Sequence, residues 1–345
     1  MRVLVTGHQG YIGAVLCPLL CAHGHTVVGL DTGFFDGCDF VEAPANVQML
    51  RRDLRDLAAA DLDGIDGVVH LAALSNDPMG QLDPRLTDDI NHRASVRLAE
   101  LARAAGAQRF IFSSSCSMYG VGNGAALTEA APLNPLSAYA HSKADSERDI
   151  SALATESFAP VFLRNATAYG VSPRMRVDLV LNNLVGWAMT TGQVRILSDG
   201  SPWRPLVHIR DIAAAIIAAL TAPRPAIHNQ AFNVGRDRDN LQVRDLAEIV
   251  RATVPDATIT YAGSGEPDRR SYRVDFAKIH TQLPGFSPEW TVERGAREAY
   301  DAFRRAHFDQ TAFEGRKFTR LKQLSYLRDT GHLDAELRWV RSDRS

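Results

Sequence analysis

Cysteine is scarce and scattered in this chain: Cys17, Cys21, Cys38 and Cys116 are the only four in 345 residues. They form neither the dense, even spacing of a secreted scaffold nor a C-x-x-C metal pair, which argues against structural disulfides. No cluster of potential ligands has metal-site spacing, and the pair His23 and His25 sits at a helix-to-strand turn that reads as solvent-facing. Charge of one sign is missing as well. Lys and Arg total 38 against 40 Asp and Glu, a net charge of -2, so no global positive field speaks for nucleic acid or an anionic membrane. Any anion must be held by local groups. No apolar run reaches membrane-spanning length, and the strand-like "MRVLVTG" begins at Met1 with no room for a leader. The expectation is a cytoplasmic protein with no membrane or nucleic-acid partner. Internal repeats and low-complexity linkers are also absent.

What is present is a long globular sequence, 45% hydrophobic and 23% charged, enough for a large core and two lobes sharing one interface. Short β-branched runs alternate with helical patterns through the first half. "RVLVTG", "TVVGLD", "VQMLRRD", "GVVHLAA" and "RFIFSSS" read as strands, and the rhythm is that of β-α-β units. "SVRLAELARAAG" is a helix that Gly106 can end, and "SAYAHSKADSERDISALATES" is another, followed by the strand "PVFLRNA". Cys17 and Cys21 lie four apart on a helix with Leu16, Leu19 and Leu20 and read as core filler. After Gly170 the prolines at 173, 202, 205, 223 and 225 break the chain into shorter elements, although "AFNVG" is strand-like and "QVRDLAEIVRATV" clearly helical. The fold class expected is α/β: a Rossmann-type doubly wound parallel sheet with a smaller mixed α/β substrate-binding lobe.

"VLVTGHQGYIGAVL" places Gly7, Gly10 and Gly13 between a strand and a helix. Glycine there permits a tight turn and lets the backbone approach a pyrophosphate. An acid, Asp31, ends the next strand, as a dinucleotide site requires for its ribose diol. Its charge repels a 2'-phosphate, and Thr32, Gly33, Phe34 and Phe35 supply no compensating arginine, so NAD is favoured over NADP. Arg51 and Arg52, after the third strand, are the groups that would complicate this preference. "SAYAHSK" sets Tyr139 and Lys143 one helical turn apart, where an ammonium can lower a phenol's pKa toward working pH.

These stretches form an ordered series. T-G-x-x-G-x-x-G spans Thr6 to Gly13, then come Asp31, "DLRD" at 53–56, "HLAA" at 70–73, Asn91, "SSSCSMYG", Y-x-x-x-K, "LRNATAYG" at 163–170 and "RPLVHIRD" at 204–211. The series resembles the extended short-chain dehydrogenase/reductase family, in its nucleotide-sugar epimerase/dehydratase branch, from residue 1 to about residue 300. The resemblance implies that Ser115 hydrogen-bonds the reacting sugar hydroxyl, Tyr139 is the acid/base, and Lys143 holds the nicotinamide ribose and tunes the tyrosine. It also implies that Asp53 and Leu54 flank the adenine and that His70, Ala72 and Ala73 line the cofactor, with Tyr11, Ile12, Asn91 and Ser113 beside them.

On the substrate side the resemblance puts Arg204 on the nucleotide diphosphate, a task suited to a guanidinium fork. Arg269 or Arg270 would compensate for Gly265, which stands where relatives carry an arginine. Asn182 and Asn183 are candidates for phosphate or sugar contacts, or else capping and surface amides. Thr167 replaces an asparagine common among sugar epimerases. Trp203, Tyr169 and Met79 are either pocket-shaping or core residues. Cys116 and Ser117 occupy the positions of the Asp-Glu pair that drives 4,6-dehydration, and a serine is a poor base for a sugar C5 proton. Cys116 is otherwise a small residue packed behind Ser115.

The function expected is therefore an NAD-dependent nucleotide-sugar 4-epimerase working through a transient 4-keto sugar. The alternative is an NAD(P)H-dependent 4-ketoreductase, with a 4,6-dehydratase or a non-catalytic dinucleotide sensor less favoured. The expected organisation is an NAD-binding domain over 1–168, a substrate lobe over 169–308 with segments returning to the first, and a basic extension over 309–345 offering Leu321, Leu324, Tyr326 and Leu327 for packing. A homodimer through the helices at 84–105 and 137–156 is the family expectation.

Overall fold

The computed structural model describes residues 1–42, 47–80, 82–261 and 271–340. Seven parallel strands build the main sheet: β1 (Arg2–Thr6), β2 (Thr26–Asp31), β3 (Gln48–Arg51), β4 (Gly67–His70), β5 (Arg109–Ser115), β7 (Ala159–Asn165) and β11 (Gln230–Val234). Their order is β11-β7-β5-β4-β1-β2-β3, with β6 (Val121–Leu127) pairing elsewhere with β14 (Ser271–Val274). Strands buried on both faces read as unbroken apolar runs, which is why this sheet was visible in the sequence. Alternate residues feed separate cores. Val3 and Val5 join Leu16, Leu20, Ile212 and Ile216 on one face, while Leu4, Phe110 and Phe112 join Leu98 and Ile150 on the other. The strand order reverses at β1, and the switch point, where sheets of this kind place their ligand crevice, lies between the carboxyl ends of β1 and β4.

Later segments form smaller sheets. β8 (Thr167–Tyr169), β10 (Trp203–His208) and β12 (Asn240–Gln242) make one, and β9 (Gln193–Ile196) with β13 (Thr258–Tyr261) another. Beside them a second core gathers Leu181, Val185, Leu246, Val250, Ala296 and Phe303 from the helices Val180–Thr191, Val243–Thr253 and Val292–Arg305.

Several elements differ from the sequence reading. The helix expected over 84–105 contains a π-helical segment, Asp88–Arg93, between Pro84–Thr87 and Ala94–Ala104. The wide turn carries Asn91, whose side chain bonds both the amide and the carbonyl of Leu74, and such turns recur at functional sites. The following helix, Ala138–Ser151, stops short of 157 because Thr155 turns the chain by accepting a hydrogen bond from the Phe158 amide. Cys17 is buried but Cys21 is exposed, so only the first is core filler. In the C-terminal stretch, helix Arg320–Asp329 buries Leu324 and Leu327 but leaves Tyr326 exposed beside Arg316.

Beneath the sheet's carboxyl edge, the buried Arg164 pairs with Glu147 (2.7 Å) and also donates to the Tyr119 hydroxyl and the Glu129 carbonyl. Removing the carboxylate alone would strand a buried guanidinium. Glu147→Ala is expected to lower unfolding stability by about 3–5 kcal/mol, read as an earlier urea midpoint. Replacing both partners by Met should recover most of that loss.

Candidate active site

β1 is followed by Gly7, whose φ of +71° suits glycine and whose absent Cβ leaves room for the Ala72 amide, 2.8 Å from where that atom would lie. After Gly10, Tyr11 and Ile12, the helix Gly13–Ala22 begins with no side-chain cap and no acid in its first turn. Its leading N–H groups therefore have no competing side-chain acceptor and suit an anion. Asp31 closes the far side: its carboxylate accepts from the Gln9 amide (3.1 Å) and the Gly33 amide (2.9 Å), which holds the acid at the rim of the glycine loop. Arg51 is paired with Asp36 (2.6 Å) and Arg52 with Asp61, so each guanidinium already has a carboxylate partner. The loop and acid fit NAD.

Other residues expected to line the cofactor act from behind. His70 is buried with its two ring nitrogens bonded to Thr6 and Ser95 (2.6 Å each), and burial pulls its pKa down to about 3. It stays neutral and braces β4 against the neighbouring helix. Asn91 fastens the chain that carries Ala72, Ala73 and Leu74, and donates to the Ser142 hydroxyl (3.2 Å). Asp53 caps the short turn at Leu54 and is gripped by Arg55 (2.8 Å); despite burial, these bonds hold its carboxyl below the ordinary range.

The catalytic side chains meet where β5 ends beside helix Ala138–Ser151. Ser137 caps this helix by accepting from the Ala140 amide, and its hydroxyl donates to Asp77. The Ser115 hydroxyl lies beside the Tyr139 phenol and favours its ionised form. One turn later the Lys143 ammonium donates to the Ser113 carbonyl (2.7 Å), over the Phe112 ring at 4.5 Å and the Tyr139 ring at 5.9 Å. Ser113 also accepts a hydrogen bond from the Asn165 amide (3.0 Å). Ser115, Tyr139 and Lys143 are thus brought together.

Lys143 does not bring the phenol toward working pH in the protein alone, contrary to the expectation from spacing. Burial, reinforced by Asp77, pushes Tyr139 up to about 12 against the opposing pull of Ser115 and Arg176. Lys143 is itself drawn down to about 8 by burial, with Glu147 opposing. Taken without its cofactor, the protein keeps the tyrosine protonated.

Arg176 was missed in the sequence. It forks onto Asp178 (2.9 and 3.0 Å), reaches the Ser75 hydroxyl (3.2 Å), and Asp178 in turn accepts from Asn76 (2.9 Å). The only available signal was an arginine and an acid two residues apart in the proline-broken stretch "SPRMRVD".

The substrate candidates divide. Ser117 is half-buried, and its hydroxyl oxygen, itself shielded from solvent, has no protein partner among the described residues. Thr167 opens β8, partly exposed, across from Leu206 of β10, and Arg204 lies on β10 with one guanidinium nitrogen donating to the Trp203 carbonyl (2.8 Å). Asn183 is part-buried and donates to the Val177 carbonyl (2.8 Å). Asn182 must be withdrawn as a substrate contact. It is 0% exposed, and its amide is spent on Gly170, Tyr11 and Arg176. Cys116 must also be withdrawn, because it is fully buried with its thiol directed at the Arg164 carbonyl (3.1 Å), and burial pushes its pKa up. Tyr169 and Met79 are likewise core residues. Arg269 and Arg270 lie outside the described residues.

The sequence model of the NAD-dependent epimerase/dehydratase family matches residues 3–235. A UDP-glucose 4-epimerase of Mycolicibacterium smegmatis is 30% identical, the match covering 88% of this chain and 99% of the relative. The solved UDP-glucuronic acid 4-epimerase of Bacillus cereus, with UDP-glucuronic acid and NAD, superposes with a TM-score of 0.74 at 27% identity, over 88% of this chain and 99% of the other. An NAD-dependent NDP-hexosamine 5,6-dehydratase of tunicamycin biosynthesis superposes at 0.78 with 25% identity, over 88% and 98%.

Two outcomes follow from this geometry. Subtracting Tyr139→Phe from the parent protein should show no phenolate absorbance from Tyr139 below pH 10 without cofactor, since the neutral form persists until pH rises toward about 12. Added NAD, whose oxidised nicotinamide ring is positively charged, should move that titration to lower pH. Cys116→Ala should leave turnover nearly normal while costing about 1–2 kcal/mol in denaturant unfolding; a large loss of turnover in the folded variant would restore the thiol to the reaction.

Proposed function

The chain belongs to the NAD-dependent epimerase/dehydratase family, and from that premise we propose that it is an NAD-dependent 4-epimerase of a nucleotide sugar, with UDP-hexoses the first substrates to test. The observation that carries this reading is the meeting of Ser115, Tyr139 and Lys143 beside the glycine loop, with the packed Cys116 and the neutral Ser117 following Ser115 instead of dehydrating acids.

When bound, NAD supplies a hydride acceptor that becomes the donor in the return step. Ser115 orients the sugar C4 hydroxyl, and the ionised Tyr139 oxygen takes its proton as the C4 hydrogen departs with its electron pair. The 4-keto sugar turns in the pocket. For the return step, in which the sugar would present its other face, Tyr139 would give its proton back to the C4 oxygen. Lys143 stabilises the phenolate through space and holds the cofactor ribose. Arg204 steadies the diphosphate, and the unpartnered Ser117 hydroxyl receives a sugar hydroxyl.

The proposed assembly is a cytoplasmic homodimer. Helices Ala94–Ala104 and Ala138–Ser151 pack side by side on the outer face of the sheet, and all four cysteines are free thiols, as a reducing compartment expects.

Denaturing the purified protein and identifying the released dinucleotide by mass spectrometry should give near-stoichiometric NAD, and the same preparation should interconvert UDP-glucose and UDP-galactose or another UDP-hexose pair. Tyr139→Phe should lower kcat by about 10²–10⁴-fold. An empty protein that takes up NADH or NADPH reversibly and reduces 4-keto sugars would replace the epimerase with the ketoreductase.

A further inference from the structure

The stretch 320–340 lies beyond the family match, which ends at residue 235, yet it is fastened to the rim of the cofactor crevice. It grips the loops that follow three strands flanking β1: β2 and β3 on one side and β4 on the other. On the loop after β2, the Trp339 indole donates to the Thr32 carbonyl (2.7 Å) and Gln323 to the Phe34 carbonyl (3.1 Å), while the Arg320 guanidinium lies 4.1 Å from the Phe35 ring. On the loop after β3, Arg338 pairs with Asp56 and reaches Asp53 (3.4 Å), and Arg55 donates to the Glu336 carbonyl (2.9 Å). On the loop after β4, Leu324, Leu327, Leu333 and Leu337 share an apolar cluster with Leu74 and Met79. Arg51, already paired with Asp36, lies 5.8 Å from the Trp339 ring.

Each grip is one step from a group assigned to the cofactor. Thr32 separates Asp31 from Gly33, whose amide holds the Asp31 carboxylate, so fixing the Thr32 carbonyl fixes the ribose-binding acid. Arg338 and Arg55 together hold Asp53, at the adenine edge. The Leu74 to Gly80 loop continues to the catalytic helix, where a Cβ on Gly80 would fall 3.0 Å from the Tyr139 backbone.

We propose that residues 320–340 form the outer wall of the adenosine end of the crevice and that Arg338 and Trp339 are positioning residues that retain NAD between turnovers. This rests on the epimerase reading, in which the cofactor is regenerated in place and gains nothing by leaving. The wall slows release by keeping the loops that carry Asp31 and Asp53 from opening. Linkage makes the effect reciprocal: if the wall tightens NAD, NAD must tighten the wall by the same factor.

The test uses the full chain with Trp339→Ala and with Arg338→Ala. Both residues are partly exposed, Trp339 at 38%, so neither substitution opens the Leu324 and Leu337 core. NAD release is timed by dilution of loaded protein into a trap of excess labelled NAD, beside a thermal melt. Release about tenfold faster from a variant that melts with the parent is the expected result. Parent-like release from both folded variants would overturn the proposal. If a variant melts early, amide exchange over 330–340 of the parent decides: slowing on addition of NAD supports the wall, and unchanged exchange overturns it. Neither readout involves a sugar, so a failed epimerase assay and a failed wall remain distinguishable.

Discussion

Three side chains spaced one helical turn apart tie the catalytic helix to the ends of two strands, and the rest of the site depends on that ladder. Tyr139 meets Ser115, Lys143 meets the Ser113 carbonyl, and Glu147 meets Arg164 of β7. Residues at i, i+4 and i+8 share a helix face, so one rigid element sets all three contacts. The lowest rung is an ion pair sealed from water. It fixes the height of the helix against the sheet, and thereby how far the phenol and ammonium stand from the crevice. On the adjoining face, Ser146 donates to the Asn91 carbonyl and Ser142 receives its amide, so the helix cannot roll.

The same burial that fixes these groups opposes their charged forms. Lys143 is spent on a backbone carbonyl, and the phenol stays neutral in the protein alone. A resting site of this kind favours the ionised tyrosine only when positive charge arrives in the crevice. Sequence spacing showed that the ammonium and phenol would be neighbours. It could not show that desolvation outweighs their attraction, because desolvation depends on everything packed around them.

The main sheet was legible because its strands are unbroken apolar runs punctuated by glycine and separated by helices, all local properties. The glycine loop, Asp31 and the Tyr139 to Lys143 spacing were legible for the same reason. The residues that were misjudged owe their roles to partners far along the chain. Asn182 looked like a free amide on a helix, yet it is consumed by Tyr11 and Gly170. Arg176 lay in a stretch without periodicity and acquires its place only when Ser75, Asn76 and Asp178 converge. The preference for NAD was read from Asp31, but the neutralisation of Arg51 and Arg52 by Asp36 and Asp61 emerges only in three dimensions. The π turn at Asn91 has no signature in composition at all.

Tyr11 sits inside the glycine loop, but its ring is buried in the second core and its hydroxyl donates to the Gly170 carbonyl at 2.6 Å, while Ser172 donates back to the Tyr11 carbonyl. The loop that would cradle the cofactor's phosphates is therefore bolted to the start of the later half of the chain. The position of the phosphate cradle is thereby tied to the later half of the chain, so a substitution that shifts Gly170 or Ser172 is felt at the glycine loop although neither residue belongs to it.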